Sequence, residues 1–441
     1  MPKVGFVSLG CPKNLVDSEV MMGLLARNGY ELTPRAEEAE ILVVNTCSFI
    51  HPAKQESINA ILEMAGHKKT GAARRLIVAG CLVERYRDEI RKEIPEVDAV
   101  IGANEVEQIL DVCAGEEKHS RKAVPLYLYD DATPRLLATP RHTAYIKITE
   151  GCDHPCSFCV IPKLRGPFRS RRLESVVAEA KRLFHQGVRE INLIGQDTTR
   201  YGEDLRIQDG LALLLERLAQ LPGAGWIRFL YCYPNRVTQK LLDTVAAWPA
   251  LVKYLDIPLQ HASREVLKRM RRGQDGGRFL KLIERVRRTI PGVAVRTSLI
   301  VGFPGETEAQ FEELLGFVRA AQFDRLGVFA YSDEEGTRSF GLGGKLDGRT
   351  IHNRRRRLMA LQRKISARKN RALVGRRMGL LFEGLAAESE LLWEGRLATQ
   401  APEIDGKVLV NDVAGAPPAP GSFVTVEITR ALDYDLIGRI Q

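Results

Sequence analysis

Short apolar runs alternate with helical stretches along residues 1–350, and this alternation constrains the fold more than any other feature. In the first 140 residues the runs are Val4–Leu9, Ile41–Asn45 and Leu76–Ala79. Near-continuous apolar runs of this length are typical of strands covered on both faces of a parallel sheet. Residues 1–140 are therefore predicted to form an open, doubly wound α/β domain.

Two helices are predicted between these strands. The first covers Asn14–Asn28 and is expected to end at Gly29. The second covers Pro52–Ala65 and is expected to end at Gly66. Glycine is favoured just beyond the last turn of a helix, because it adopts the left-handed backbone conformation without strain.

Residues 141–350 repeat the alternation about six times. Helical segments such as Ser175–Gln186 and Glu308–Ala321 separate the predicted strands. Six consecutive βα units predict a partial barrel whose active site lies at the carboxyl ends of the strands. The six predicted strands are Ala144–Thr149, Glu190–Ile194, Ile227–Tyr231, Tyr254–Ile257, Ala294–Val301 and Arg325–Tyr331.

A basic segment, residues 351–377, follows the barrel. Between Arg354 and Arg377 it contains eleven Lys and Arg residues and no acid. Leu358, Leu361 and Ile365 recur at helical spacing, which predicts an amphipathic helix that links two domains. Its charged face could contact RNA or could simply be solvated.

The tail, residues 378–441, is predicted to be a small antiparallel β-barrel. Its strand-like pieces are Gly379–Phe382, Val408–Val410 and Phe423–Ile428, and Gly415–Gly421 is a predicted loop. Ten acids and four bases give the tail a net charge of −6, so residues 1–377 carry +16 of the total of +10. An acidic barrel repels a phosphate backbone and suits a basic protein partner better.

Composition narrows the class of protein. The apolar fraction of 44% and the charged fraction of 27% exclude a mainly disordered chain. No run of eighteen apolar residues is present, which argues against a membrane-spanning helix. The apolar stretch near Met1 is too short for a signal-peptide core, so we expect a cytoplasmic protein.

Three cysteines form the pattern Cys-x3-Cys-x2-Cys directly after the first predicted barrel strand. We call Cys152, Cys156 and Cys159 the local triad. Soft thiolates suit iron–sulfur centres, and three of them leave one iron of a cubane open for a ligand. A structural zinc site is the alternative, but it needs four ligands and no second Cys pair lies nearby. His154 is poorly placed in the loop to be the fourth.

Three further cysteines each follow one of the first apolar runs. Cys11, Cys47 and Cys81, here the distributed triad, are 36 and 34 residues apart. Parallel strands bring their carboxyl ends to one edge of a sheet, so the three thiols are predicted to converge there. The alternative is three buried cysteines that merely pack. Cys113 and Cys232 belong to neither set and are predicted to be structural.

The local triad, with Phe158 before its last cysteine, resembles the signature of the radical S-adenosylmethionine (SAM) superfamily. This resemblance implies a [4Fe-4S] cluster whose open iron binds SAM and whose electron cleaves SAM to a 5′-deoxyadenosyl radical. It also implies SAM contacts along the barrel mouth. The cofactor-binding candidates are Phe158, Gln196, Asp197, Gln260, Arg296 and Gly302.

With both triads, the whole chain resembles the methylthiotransferase family. That resemblance implies an N-terminal domain with a second [4Fe-4S] cluster that carries sulfur, a radical SAM barrel and a C-terminal TRAM barrel. The six cysteines would be the metal ligands. Four stretches resemble the branch of the family that modifies a ribosomal protein: Val160–Gly166 (VIPKLRG), Leu193–Tyr201 (LIGQDTTRY), Asp256–Ser263 (DIPLQHAS) and Asp433–Gly438 (DYDLIG).

Resemblance to this branch implies methylthiolation of the β-carbon of an aspartate in the small-subunit protein S-twelve. The partners that the resemblance implies are this basic protein, free or on the ribosome, and a low-potential electron donor such as flavodoxin or ferredoxin, with the enzyme as a monomer away from membranes. Three alternatives stay open: a transfer-RNA adenosine methylthiotransferase, a non-catalytic RNA-binding protein with zinc in the cysteine sites, and a two-cluster redox carrier.

Overall fold

The computed structural model of the protein describes residues 1–116 and 127–440, and its N-terminal region is a five-stranded parallel sheet. The elements in chain order are β1 Lys3–Ser8, α1 Pro12–Arg27, β2 Glu31–Thr33, β3 Ile41–Thr46, α2 His51–Thr70, β4 Arg75–Gly80, α3 Cys81–Glu93, β5 Ala99–Gly102 and α4 Ile109–Ala114.

The strand order is β2-β1-β3-β4-β5, with every neighbouring pair parallel. This is the order of a doubly wound sheet, and it confirms the predicted class. Successive residues of β3 enter opposite cores, because side chains alternate across a strand. Ile41 and Val43 pack on the α1 side, whereas Leu42 and Val44 pack on the other face. Both faces are therefore covered, which explains the unbroken apolar runs.

The predicted end of the second helix was wrong. Helix α2 continues through Gly66 to Thr70, and Gly71 caps it. A glycine inside a helix costs only about 1 kcal/mol relative to alanine. Burial of Met64 and Ala65 against the sheet offsets that cost. The sequence reading also missed the two short strands β2 and β5.

The central region contains the six predicted parallel strands. Its elements are β6 Thr143–Lys147, β7 Thr149–Glu150, α5 Ile161–Arg165, β8 Arg169–Ser170, α6 Leu173–His185, β9 Glu190–Ile194, α7 Gly210–Ala219, β10 Trp226–Phe229, α8 Gln239–Ala247, β11 Tyr254–Asp256, α9 Arg264–Arg269, α10 Gly276–Thr289, β12 Ala294–Val301, α11 Glu308–Ala321 and β13 Arg325–Ala330.

These strands form two parallel sheets, β10-β9-β6 and β11-β12-β13. A bridge between Ile227 and Leu251 and the hydrogen bond from Cys232 N to Asp256 O join the two sheets. The antiparallel pair β7 and β8 closes the loop that carries the local triad. The result is an open barrel with its helices outside.

Most of the basic segment lies in helix α12, Gly348–Arg371, which begins before the predicted start at residue 351 and ends before residue 377, where β14 begins. Leu358 and Ile365 are buried in the barrel core, so the predicted amphipathic face is confirmed. Several of its bases form ion pairs within the chain, including Arg357 with Glu308. This helix is therefore the outer wall of the last barrel strand as well as a connection.

The tail is a closed five-stranded barrel with the order β14-β15-β16-β18-β17. Its strands are β14 Arg377–Ala386, β15 Ser389–Leu397, β16 Val408–Val413, β17 Phe423–Ala431 and β18 Leu436–Ile440. The pairing is antiparallel except between β16 and β18, which are parallel. Within residues 1–116 and 127–440, we find no helix with both the length and the apolar character needed to cross a membrane.

Candidate active site

One cavity of about 600 Å³ lies between the carboxyl edge of the N-terminal sheet and the mouth of the barrel. The thiols of both triads line it: Cys11, Cys47, Cys81, Cys152, Cys156 and Cys159. The topology explains this convergence, since parallel strands present their carboxyl ends, and the loops that follow them, at one edge.

Helix N-termini position two thiols of the distributed triad. Cys11 is the N-cap residue of α1, and Cys81 is the first residue of α3. Cys47 follows β3, where its N–H donates to Ser57 Oγ at 2.9 Å and its carbonyl accepts from the same hydroxyl. The positive ends of helix dipoles stabilise anionic sulfur, so this edge suits thiolates.

Backbone hydrogen bonds fix the loop of the local triad. Cys152 N donates to Gly166 O at 3.1 Å, and Cys159 N donates to Cys156 O at 3.2 Å. Ser157 binds the end of helix α9 twice, through its N–H to Met270 O and its hydroxyl to Arg269 O. The loop is therefore held against the barrel rim.

A buried guanidinium joins the two halves of the cavity. Arg165 ends helix α5, six residues after Cys159, and donates to Cys81 Sγ at 3.4 Å. It also binds Asp17 and Asn14 of α1, each at 2.6 Å. The residue that follows one triad thus contacts the other, and its charge favours the thiolate form of Cys81.

A carboxylate beside this guanidinium completes the network. Glu150 accepts from Lys147 Nζ at 2.7 Å and from Gln196 Nε2. Burial acts to raise the pKa of Glu150, but the charges of Lys147 and Arg165 outweigh it and hold that pKa at about 2. Glu150 is therefore ionised at neutral pH, and its charge is paired with those of the two neighbouring cations.

A second arginine serves the local triad. Arg272 Nη1 lies 3.6 Å from Cys156 Sγ, and its guanidinium stacks 4.3 Å from the Tyr233 ring. His154 contacts two neighbours at the same place. Its ring stacks 3.9 Å from the Tyr233 ring, and its Nε2 lies 2.6 Å from Asp197 Oδ2. These contacts engage Nε2 and one face of the His154 ring, and its exclusion as a fourth metal ligand stays a prediction.

Burial keeps most of these thiols protonated in the absence of a metal. It raises the pKa of Cys81 and of Cys159 to about 12 and that of Cys152 to about 11, and it also raises the pKa of Cys47. The Arg165 charge opposes this effect at Cys81. A bound metal centre supplies the positive charge that such thiols need in order to ionise.

Two sets of three thiols are a donor set that suits iron–sulfur clusters. In the described part of the chain, no group of three or more His, Cys, Asp or Glu side chains is placed to hold a single metal ion. In a cubane each thiolate binds a different iron, so three cysteines need not converge on one ion.

Three of the six predicted SAM contacts line the cavity. These are Phe158, Gln196 and Gln260. Gln196 Oε1 is buried and has no hydrogen-bond partner among the described residues, so it can accept a hydrogen bond from a ligand. Gln260 has a φ of 73°, an unusual conformation that often marks a functional site.

The other three predicted contacts do not line this cavity. Asp197 binds His154 and caps the turn at Thr199. Arg296 donates to Asp256 at 2.7 Å. Gly302 packs against Ile351 of helix α12. Their predicted contact with SAM stays a prediction.

The residues that line the cavity and were not singled out from the sequence include Lys13, Arg165, Tyr231 and Arg272. Two carried a visible signal, because Lys13 lies two residues after Cys11 and Arg165 lies in the VIPKLRG stretch after the local triad. Tyr231 carried one too, because it ends the predicted strand Ile227–Tyr231, whereas nothing near Arg272 marks it. Cys232, predicted to be structural, is buried and also lines the cavity.

Comparison with known proteins defines the class. Residues 3–102 match the model of an uncharacterized protein family, UPF0004; residues 146–318 match the radical SAM superfamily; residues 374–440 match the TRAM domain. A solved structure of the radical SAM methyltransferase TsrM from Kitasatospora setae is similar in fold, with a TM-score of 0.56 and 16% identity over 75% of each chain. The protein is therefore a radical SAM protein with a TRAM domain.

Close relatives define the family. The ribosomal protein uS12 methylthiotransferase RimO of Solibacter usitatus is 65% identical over 99% of this chain and 94% of the relative. RimO of Koribacter versatilis is 58% identical over 99% of this chain and 96% of the relative. The chain belongs to the RimO family of radical SAM methylthiotransferases. Membership of the radical SAM superfamily implies SAM and a [4Fe-4S] cluster as cofactors.

Proposed function

We propose that this protein methylthiolates the β-carbon of an aspartate in ribosomal protein uS12. The observation that carries the proposal is the presence of six thiols, from two domains, around one cavity. The near full-length similarity to RimO supports uS12 over an adenosine of transfer RNA.

The two triads would hold two [4Fe-4S] clusters. The local triad fits the SAM cluster, because Gln196, Gln260 and Phe158 lie beside it in the cavity wall. The distributed triad fits a second cluster, because helix N-termini and Arg165 provide positive charge at its sulfurs. When bound, these groups supply the electron that cleaves SAM and the sulfur that is inserted.

The chain's own residues bind, orient and shield the reactants. Glu150 fixes the amide of Gln196, so that its free Oε1 faces the cavity. Arg272 stabilises negative charge at Cys156, and Arg165 does so at Cys81. Phe158 and Phe49 are apolar walls of the cavity, and such walls exclude water from reactive species.

Four functional units follow from this proposal: residues 1–140 for the second cluster, 141–350 for the SAM barrel, 351–377 as a linker and 378–441 as the TRAM barrel. Exposed acids of the TRAM barrel, such as Glu390 and Asp412, would attract basic uS12. Other acids there are already paired, for example Glu394 with Lys407. We place the enzyme in the cytoplasm as a monomer, reduced by a flavodoxin or ferredoxin.

The test is anaerobic turnover of the reconstituted protein. Incubation with SAM, dithionite and either uS12 or transfer RNA should add a methylthio group to uS12 alone, as read by mass spectrometry. Fragmentation of the product should place the added mass on one aspartate. Addition to transfer RNA instead would refute the substrate assignment.

A further inference from the structure

Two buried cations of the described chain lack a carboxylate partner, and both line the cavity. Six other buried Lys or Arg residues each lie within 4.0 Å of a carboxylate: Lys147, Arg165, Arg171, Arg228, Arg354 and Arg396. Lys13 and Arg272 have no such partner among residues 1–116 and 127–440. A buried charge is costly without an opposite charge, so each of the two needs an anion that is not a carboxylate of the described chain.

The two cations face different groups. Arg272 Nη1 is directed at Cys156 Sγ, and its Nη2 donates to Pro258 O at 2.6 Å. Lys13 Nζ lies 3.5 Å from Gly195 O and 3.5 Å from the centre of the Tyr231 ring, and Cys11 and Glu150 act on its charge from beyond ion-pair distance. An ammonium has three donors, so Lys13 keeps donors free for a ligand in the cavity.

Strained backbone holds the ring beneath Lys13. Tyr231 has a φ of 65°, a left-handed conformation that is rare for a bulky side chain. Its N–H donates to Asp256 Oδ2 at 3.0 Å, and its carbonyl accepts from Thr198 N at 3.2 Å. Such strain persists only where the surroundings impose it, and it clusters at functional sites. The ring face it presents favours a cation above it.

Resting on the function proposed above, we propose that Lys13 binds the carboxylate of the target aspartate of uS12. In aspartate the β-carbon is bonded directly to the carboxylate carbon. A group that fixes the carboxylate therefore fixes the reacting carbon to within one bond. Lys13 is a positioning and specificity residue in this assignment, placed by α1 on the cavity wall that also carries Cys11 and Cys81.

The test measures binding, without turnover. Holoenzyme with both clusters and SAM, but no reductant, is titrated with uS12 and with uS12 in which the target aspartate is replaced by asparagine. Loss of a buried charge pair should weaken binding of the asparagine form by at least about 30-fold. In Lys13→Gln the two forms should bind within about threefold of each other, since the charge that distinguishes them is gone. The exposed Lys92→Gln is the matched control and should keep the full preference.

Three results would overturn the assignment. Equal binding of both uS12 forms by the unmodified enzyme would do so without any variant. If Lys13→Gln lost iron but still preferred the aspartate form of uS12, Lys13 would instead support the cluster of the distributed triad. If Lys13→Gln raised the Kd of SAM but still preferred the aspartate form of uS12, Lys13 would bind the carboxylate of SAM instead. Failure of the unmodified enzyme to modify uS12 at all would refute the proposed function itself.

Discussion

The two triads reach the same cavity by opposite routes. The local triad lies in one loop, and hydrogen bonds within that loop and to helix α9 fix its shape. The distributed triad comes from three neighbouring strands, β1, β3 and β4, so the register of the whole sheet positions its thiols. One site is thus a local motif and the other a product of tertiary structure. Each triad has three cysteines, but the local triad depends on one loop and the distributed triad depends on the whole N-terminal sheet.

The largest expected difference between the triads is the step of the reaction that each one supports. Cys156→Ala should abolish SAM cleavage, because the local triad would no longer hold its cluster. Cys47→Ala should keep SAM cleavage and lose sulfur insertion. Each variant should retain about four irons per chain, against about eight in the unmodified protein. Iron analysis and 5′-deoxyadenosine assays under dithionite measure these outcomes.

Cys113→Ala is the control for these variants, because Cys113 is buried in α4 and does not line the cavity. It should keep all the iron and both activities. If Cys47→Ala inserted sulfur at a normal rate, the distributed triad would have no role in the reaction. If the unmodified protein bound only about four irons, the second cluster would be absent.

The next largest effect should come from the residue that joins the triads. Arg165→Met removes the charge that neutralises Asp17 and Glu150, and it removes the donor to Cys81. Breaking a buried ionic network of this kind costs about 3 to 5 kcal/mol of unfolding free energy. Urea denaturation measures the loss, and iron should be lost first from the distributed triad.

Lys163→Met on the same short helix is the matched control, because Lys163 is exposed. It should change the unfolding free energy by less than about 0.5 kcal/mol. A similar loss in both variants would mean that helix α5, rather than the Arg165 charge, stabilises the junction.

The contrast between the triads also explains what could be predicted from the sequence. The local triad and the strand ends that carry Cys11, Cys47 and Cys81 are visible as patterns within the chain. The contact of Arg165 with Asn14 spans 151 positions, and no local pattern encodes it. Short strands such as Glu31–Thr33 also escape prediction, since three residues carry no periodicity. The end of α2 was misplaced because packing overrode the preference of Gly66.

Two glycines test whether the triads depend on different parts of the chain. Gly80 precedes Cys81 and has a φ of 96°, and a Cβ there would lie 2.3 Å from Asn45 Oδ1 and 2.6 Å from Thr46 O. Gly151 precedes Cys152 and has a φ of 80°, and a Cβ there would lie 2.1 Å from Pro167 O. Alanine at either position should cost about 3 kcal/mol through clash and backbone strain.

The iron that each variant retains separates the two sites. Gly80→Ala should release iron from the distributed triad and keep SAM cleavage, whereas Gly151→Ala should lose SAM cleavage first. Gly187→Ala is a control in the barrel, since it shares the positive φ but meets no atom within 4 Å. Equal loss from both sites in either glycine variant would show that the triads do not form independently.

The smallest expected effect is an acid sensitivity confined to the barrel. Burial, together with the charges of Arg269 and Arg354, lowers the pKa of His261 to about 3. The unfolded chain binds this proton below pH 6.5, while the folded barrel does not until about pH 3. The unfolding free energy should therefore fall by about 2 kcal/mol between pH 7 and pH 5 on account of this residue.

His261→Gln should remove that part of the pH dependence, because glutamine takes up no proton in either state. Its unfolding free energy, from urea titrations at the two pH values, should fall by about 2 kcal/mol less than that of the unmodified protein. If the two proteins lost the same unfolding free energy between pH 7 and pH 5, the acid sensitivity would not come from His261, and the barrel would not differ in this respect from the N-terminal domain.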